Sequence, residues 1–372
     1  YGIDVSTTYA GLPIKNPWGK ASGQLSMTTH QVADDVQAGL GFVVLKTVIA
    51  QDETGTQAMK AWAIPEARMV VEPITGQSGE TGWTVSWKGR GWWHSFEDYL
   101  KLIGESQEIA SGTGTLIVPS CKYHLPTANE PTWKTSEYNF TTPQLFSAWE
   151  NSRNGIPPMP LEKDFSPTLA GSDRSTEQAQ ILSWLKTVPR LIRNAKTSPP
   201  NAVRIGLKLF NALFEDEFQL EMLRTIHQHG PDQPDFYIYG NRLFDPNREF
   251  EGHKGIAYGG PDLSDRNLHV MAAFQKELAA CPEQSPLDWS ATGNITTGKM
   301  ALEYALRGAS SFQLHTFFQL PNDQYTMRQG SRTARGLHEL YFHPETGFLI
   351  WMHDLAERLK LPKEPIRLTA II

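Results

Sequence analysis

Two lysines stand where their neighbours make a lysine costly. Lys46 closes the apolar run FVVL (Phe42–Leu45), and Lys208 interrupts VRIGLKLF (Val203–Phe210). An ammonium in or beside a packed interior costs several kcal/mol unless an acceptor compensates it. A structural carboxylate, or a stem that reaches water, readily explains one such lysine. Two at comparable places along two apolar runs favour a shared anionic or carbonyl-rich ligand. A second pattern concerns phosphate. Gly293 lies between the run LDWSAT (Leu287–Thr292) and a helical pattern, in ATGNITTG, and the next apolar run ends in Leu314, His315 and Thr316. A glycine there lets backbone amides and a helix N-terminus approach a phosphate. A weaker signal is FSPT (Phe165–Thr168), where Ser166 before a proline ends an apolar run, a pattern also common in plain turns.

The elements that must position these residues alternate in type. Strands are expected at about 17–21, 42–46, 115–120, 159–165, 203–210, 235–240, 287–292 and 310–314. Helical spacing predicts helices at about 29–38, 96–111, 176–196, 215–229, 262–280, 297–307 and 346–359. Apolar strands alternating with helices are the pattern of a parallel sheet buried on both faces. The expected fold is therefore α/β, a (β/α)₈ TIM barrel over residues 1–372 as one domain. Polar excursions at about 50–92, 122–142 and 317–344 are expected to cap it. The first excursion carries Trp83, Trp87 and Trp92 and runs on to Trp93, and the second carries Trp133. In such barrels the reactive groups lie just past the C-terminal ends of the strands, which is where the two lysines and Gly293 fall.

Bulk composition narrows the function. The chain has 372 residues, 40% hydrophobic, with 34 basic against 40 acidic side chains and a formal charge of −6. That balance argues against nucleic-acid or membrane-surface partners, which call for a basic face. A small-molecule substrate is the expectation, with a homodimer left open. The two cysteines, Cys121 and Cys281, cannot ligate a four-cysteine cluster, and no metal site is expected. No run approaches a membrane span, and the opening YGIDVSTTYAG lacks the charged start and apolar middle of a signal peptide. A cytoplasmic location is expected.

In order and spacing these positions resemble the dihydroorotate dehydrogenase family over nearly the whole chain. NPWGKASG (Asn16–Gly23) resembles the family's NP…ASG, which lies against the flavin and implies that role for Ala21, Ser22 and Gly23. GFVVLKT gives Lys46 and Thr47 the family's second-strand flavin contacts, and IGLKL gives Lys208 its other flavin lysine. YGN places Asn241 at the asparagine ending the sixth strand. GGPDLSDRNL, from Gly259 and Gly260, resembles the loop beside the phosphate. ATGNITTGKMALEYALRGASSFQLHT resembles the family's last block, implying that Gly293, Asn294, His315 and Thr316 hold FMN.

The fourth-strand motif departs from the family's N-x-S-[CS]-P-N. Here LEKDFSPT keeps Ser166 before the proline, implied as the catalytic base, and puts Thr168 in place of the last asparagine. The preceding asparagine becomes Lys163, or Asp164 if one residue is deleted; these three are the implied substrate contacts. His315 stands where the family usually has glycine, and the family's substrate loop is not recognisable between Val71 and Gly91. The resemblance implies an FMN-dependent oxidoreductase passing hydride between a C–C bond of a pyrimidine-like ring and flavin N5, in pyrimidine metabolism or near it. Two other readings stay open. One is a phosphate-binding, aldolase-type barrel with Lys46 or Lys208 as a Schiff base; the other is a non-catalytic relative that binds flavin or phosphate.

Overall fold

The apolar runs become the strands of one curled, ten-stranded parallel sheet. In the computed structural model these are β1 (Trp18–Lys20), β2 (Phe42–Val44), β3 (Val48–Ile49), β4 (Leu116–Val118), β5 (Ser120–Lys122), β6 (Met159–Asp164), β7 (Val203–Phe210), β8 (Phe236–Asn241), β9 (Asp288–Thr292) and β10 (Ser311–Leu314). The structure describes residues 2–372 except 128, 129, 131, 153–155, 157, 166–177, 198, 200, 212–214, 229, 231, 282–285 and 363. The strand order is β3-β5-β6-β7-β8-β9-β10-β1-β2-β4. Its two ends come from the same two stretches of chain. Only Pro119 separates β4 from β5, and Leu45–Thr47 separate β2 from β3. Across those gaps Leu45 N donates to Val118 O at 2.9 Å and Glu162 N to Pro119 O at 3.0 Å.

Nine α-helices are found among the described residues: α1 (Thr29–Ala38), α2 (Phe96–Ala110), α3 (Thr135–Glu150), α4 (Gln178–Asn194), α5 (Asp216–Ile226), α6 (Pro261–Ala279), α7 (Gly298–Ala305), α8 (Arg332–Phe342) and α9 (Phe348–Arg358). Local chemistry sets several starts. Thr28 and Gln31 form a capping box on α1, and Ser95, Thr297 and Ser331 cap α2, α7 and α8 through their hydroxyls. Among the described residues no helix is long and apolar enough to cross a membrane.

Two of the three expected excursions need correction. Residues 135–150 of the second form α3, not a loop that ends at 142. Pro143 and a polar buried face hide its periodicity, yet Thr141 bonds both backbone groups of Gln51 and Glu137 accepts from Ala58 N and His124 N. The excursion expected over 317–344 contains α8, which buries Leu337 and Leu340. The first excursion is a long antiparallel hairpin, Ile64–Thr75 with Thr81–Arg90. A second hairpin, Leu243–Phe250 with His253–Tyr258, extends β8 and has no forerunner in the sequence reading. A short hairpin, Thr7–Tyr9 with Leu12–Ile14, packs Tyr9 on Phe42 and Phe236, the first residues of β2 and β8.

Candidate functional site

A cleft opens past the C-terminal ends of the strands. Lys46 follows β2, Asp164 ends β6, Lys208 lies near the end of β7, and Asn241 and Thr292 end β8 and β9; all five line the cleft. Parallel register brings them to one level, since Asp164 is opposite Lys208 and Lys208 opposite Ile238. Ala21, Ser22 and Thr47 form the adjoining wall, with Ser22 Oγ 2.9 Å from Thr47 Oγ1 and the latter 3.0 Å from Ser120 Oγ.

Both lysines are buried, Lys46 to 7% and Lys208 to 5% exposure. Among the described residues no hydrogen bond or ion pair is made by the Lys46 ammonium. Burial lowers its pKa to about 8, against the pull of Asp164 and with the push of Lys208. Lys208 is better provided for: its Nζ donates to Gln313 Oε1 at 3.3 Å and lies 4.0 Å from Glu162 Oε2.

The other end of the cleft is built for backbone approach. Gly259 N is fixed by Thr84 Oγ1 at 3.0 Å, and Gly260, at φ 103°, starts α6. Gly293 at φ 108° and Asn294 at φ 51° turn the chain after β9 in the left-handed region, where glycine is at ease and asparagine tolerable. Asn294 Nδ2 donates to Ser264 Oγ at 2.9 Å, while its buried Oδ1 has no partner among the described residues. Thr316 opens a short 3-10 helix from the same wall. His315 packs behind it, its Nδ1 2.8 Å from Gln319 Nε2. Burial, then the charges of Arg242, Lys46, Lys20 and Lys208, holds His315 well below the ordinary histidine range. It is neutral at pH 7, in a field of four cations.

The structure thus gathers twelve of the thirteen expected flavin contacts into one cleft, and the thirteenth, Gly23, lies against the His315 ring. Of the expected substrate contacts, Asp164 lines the cleft and Lys163 does not. Residues alternate across a strand, so Lys163 faces the other side of β6, where it donates to Asp164 O at 2.8 Å and lies over the Phe165 ring. Ser166 and Thr168 lie outside the described residues. Trp83, expected in the capping excursion, lines the cleft; sequence reasoning missed Arg242, Trp62 and Arg90, which lie in or beside the hairpins, and Gln313, which stood unremarked in SFQL. Arg242 is tied by Nη1 to Val85 O at 2.9 Å and Ala257 O at 3.1 Å, joining both hairpins, and burial lowers its pKa to about 9.

Across the mouth, Arg90 Nε donates to Trp62 O at 2.8 Å, and Lys122 Nζ lies 3.9 Å from the Trp62 ring centroid. Lys122 also stands 3.8 Å from Asp164 Oδ2. Among the described residues no group of His, Cys, Asp and Glu could hold a metal ion. No protein-family model matches the chain, and no curated protein matches it.

Proposed function

We propose that the chain is an FMN-dependent oxidoreductase on a closed (β/α)₈ barrel, resembling the dihydroorotate dehydrogenase family. Closure is supported by the strand order, whose two ends are consecutive pieces of the same two chain segments. One observation carries the cofactor: Lys46, 7% exposed, turns an ammonium with no partner among the described residues into a cleft whose far wall is glycine-lined. An acceptor supplied by a ligand compensates that charge.

The residues fit FMN. Gly260, Gly293, Asn294 and Thr316 would hold its phosphate beside the N-terminus of α6, where backbone amides favour anions. The orphaned Asn294 Oδ1 can accept from a ribityl hydroxyl. Lys46, Lys208 and Asn241 would meet the ring system.

When bound, FMN supplies the hydride acceptor for oxidation of a C–C bond. The chain does the rest. Lys46 and Lys208 place positive charge where negative charge develops, already oriented by packing. Asp164, the acid of the cleft among the described residues, is set to take the proton lost from the neighbouring carbon. Ser166 was the sequence candidate for that role and stays in it as an alternative. Trp62 and Trp83 narrow the mouth and shed water. A small ring as substrate, a soluble electron acceptor and a reducing compartment such as the cytoplasm complete the reading, and both cysteines are free. The test is turnover: protein loaded with FMN, photoreduced anaerobically, should be reoxidised by an unsaturated pyrimidine-like ring. Reoxidation by oxygen alone, with every such ring inert, would contradict it.

A second reading has its own support. A lysine brought to about pKa 8 by burial also suits a Schiff base in a phosphate-binding aldolase-type barrel. Borohydride trapping of a carbonyl compound on Lys46, found by peptide mass, would favour that reading.

A further inference from the structure

Beneath the cleft floor lies a polar chain that the proposed chemistry does not use. Glu162, in β6, is fully buried. Its Oε1 accepts from the Tyr9 hydroxyl and from Gln313 Nε2. Its Oε2 has no hydrogen-bond partner among the described residues and lies 4.0 Å from Lys208 Nζ. Because Gln313 gives its amide hydrogens to Glu162, its own Oε1 must face Lys208, and it does, at 3.3 Å. Tyr9 reaches this point only because the short N-terminal hairpin packs against the first residues of β2 and β8. Lys208 and Gln313 line the cleft; Glu162 and Tyr9 sit behind them.

Burial pushes the Glu162 carboxyl up, whereas Lys208, Tyr9 and Gln313 draw it down. Two hydrogen-bonded neighbours on Oε1 and the Lys208 ammonium near Oε2 suit the ionised carboxylate. Lys208 stands between the cleft and the carboxylate.

We propose that Glu162 is the counter-ion of Lys208, a positioning residue that tempers the positive charge met by the cleft ligand and thereby sets the reduction potential of bound FMN. The inference rests on the flavin reading above. Charge removed from beneath Lys208 leaves the full ammonium facing the ring, which favours the reduced, more negative cofactor.

The experiment is a reductive titration of FMN-loaded protein against a reference dye, giving the two-electron midpoint potential. Glu162→Gln should bind reduced relative to oxidised FMN about tenfold better than the wild type, an upward shift of about 30 mV for a two-electron couple. Glu162→Asp keeps the charge and should reverse most of that shift. Tyr9→Phe weakens the hold on the carboxylate from the far side. It should move the potential the same way by a smaller factor, and it stands in if Glu162→Gln does not fold. Equal potentials in wild type, Glu162→Gln and Tyr9→Phe, or a downward shift, would overturn the inference while leaving the flavin reading intact. A wild type that takes up no FMN would overturn the flavin reading itself.

Discussion

The His315 ring occupies the space that a side chain at position 23 would need: a Cβ built on Gly23 would lie 2.2 Å from His315 Nε2. The loops after β1 and β10 therefore interlock at a glycine and an imidazole. The half-buried histidine finds its space at position 23 because that residue is glycine. Gly23→Ala should overpack the contact and cost about 1–3 kcal/mol. His315→Ala in that background should recover most of the loss, read as a coupling energy in a double-mutant cycle by denaturant unfolding. Additive effects would mean that the two residues do not share this space.

A pH dependence follows from three buried amines. Burial brings Lys46 and Lys122 to about 8 and Lys163 to about 7, from 10.5 for the exposed group. Between those values the unfolded chain holds more protons than the folded one, so stability rises with pH across that window. Each amine contributes a slope of up to about 1.4 kcal/mol per pH unit. The unfolding free energy of the FMN-free protein should therefore increase from pH 7.5 to 9.5, and Lys163→Met should flatten the rise. A steady fall over that range would contradict the burial of these groups as charged species. FMN affinity should move the other way, falling above about pH 8 as Lys46 loses its proton.

Asp164 makes a prediction about substrate. An amide offers a donor and an acceptor together, whereas an ionised carboxylate only accepts. With Asp164 at the cleft, a ring that needs an amide donor there loses about 1–3 kcal/mol for the unmet group. Dihydroorotate should thus be a poor substrate, weaker by about tenfold or more than rings presenting an N–H to that position. Asp164→Asn should lower the rate of flavin reduction by the best ring about 10²-fold or more, while leaving FMN occupancy unchanged. Efficient dihydroorotate oxidation, abolished by Ser166→Ala and indifferent to Asp164→Asn, would refute this assignment.

Eight of the ten strands were legible as mostly apolar runs such as FVVL and VRIGLKLF, whereas the short β3 and β5, which continue past Leu45–Thr47 and Pro119, were not. The lysines that break those runs were legible with them, and they do meet in one cleft. α3 was not legible. Pro143 withdraws a helical donor, and its buried face carries Glu137, Thr141 and Thr142, whose partners lie on other elements. Arg242, Trp62 and Arg90 escaped for a related reason. They reach the cleft from positions in or beside the hairpins, held by contacts to distant carbonyls such as Val85 O, and neither leaves a local period. Lys163 and Asp164 illustrate the finest limit. A one-residue ambiguity in alignment exchanges the two faces of a strand, and only coordinates show which side chain meets the cleft.

The most direct measurement is a titration of the purified protein with FMN, followed by flavin absorbance and by thermal unfolding. Stoichiometric uptake is expected, with a yellow protein after gel filtration and a melting temperature that rises with FMN. At a hundredfold excess over Kd the stabilisation should be about 2.7 kcal/mol. Lys46→Met and Lys208→Met should stay folded and lose most of that affinity. A protein that remains colourless at saturating FMN, with an unchanged melting temperature, would contradict the account.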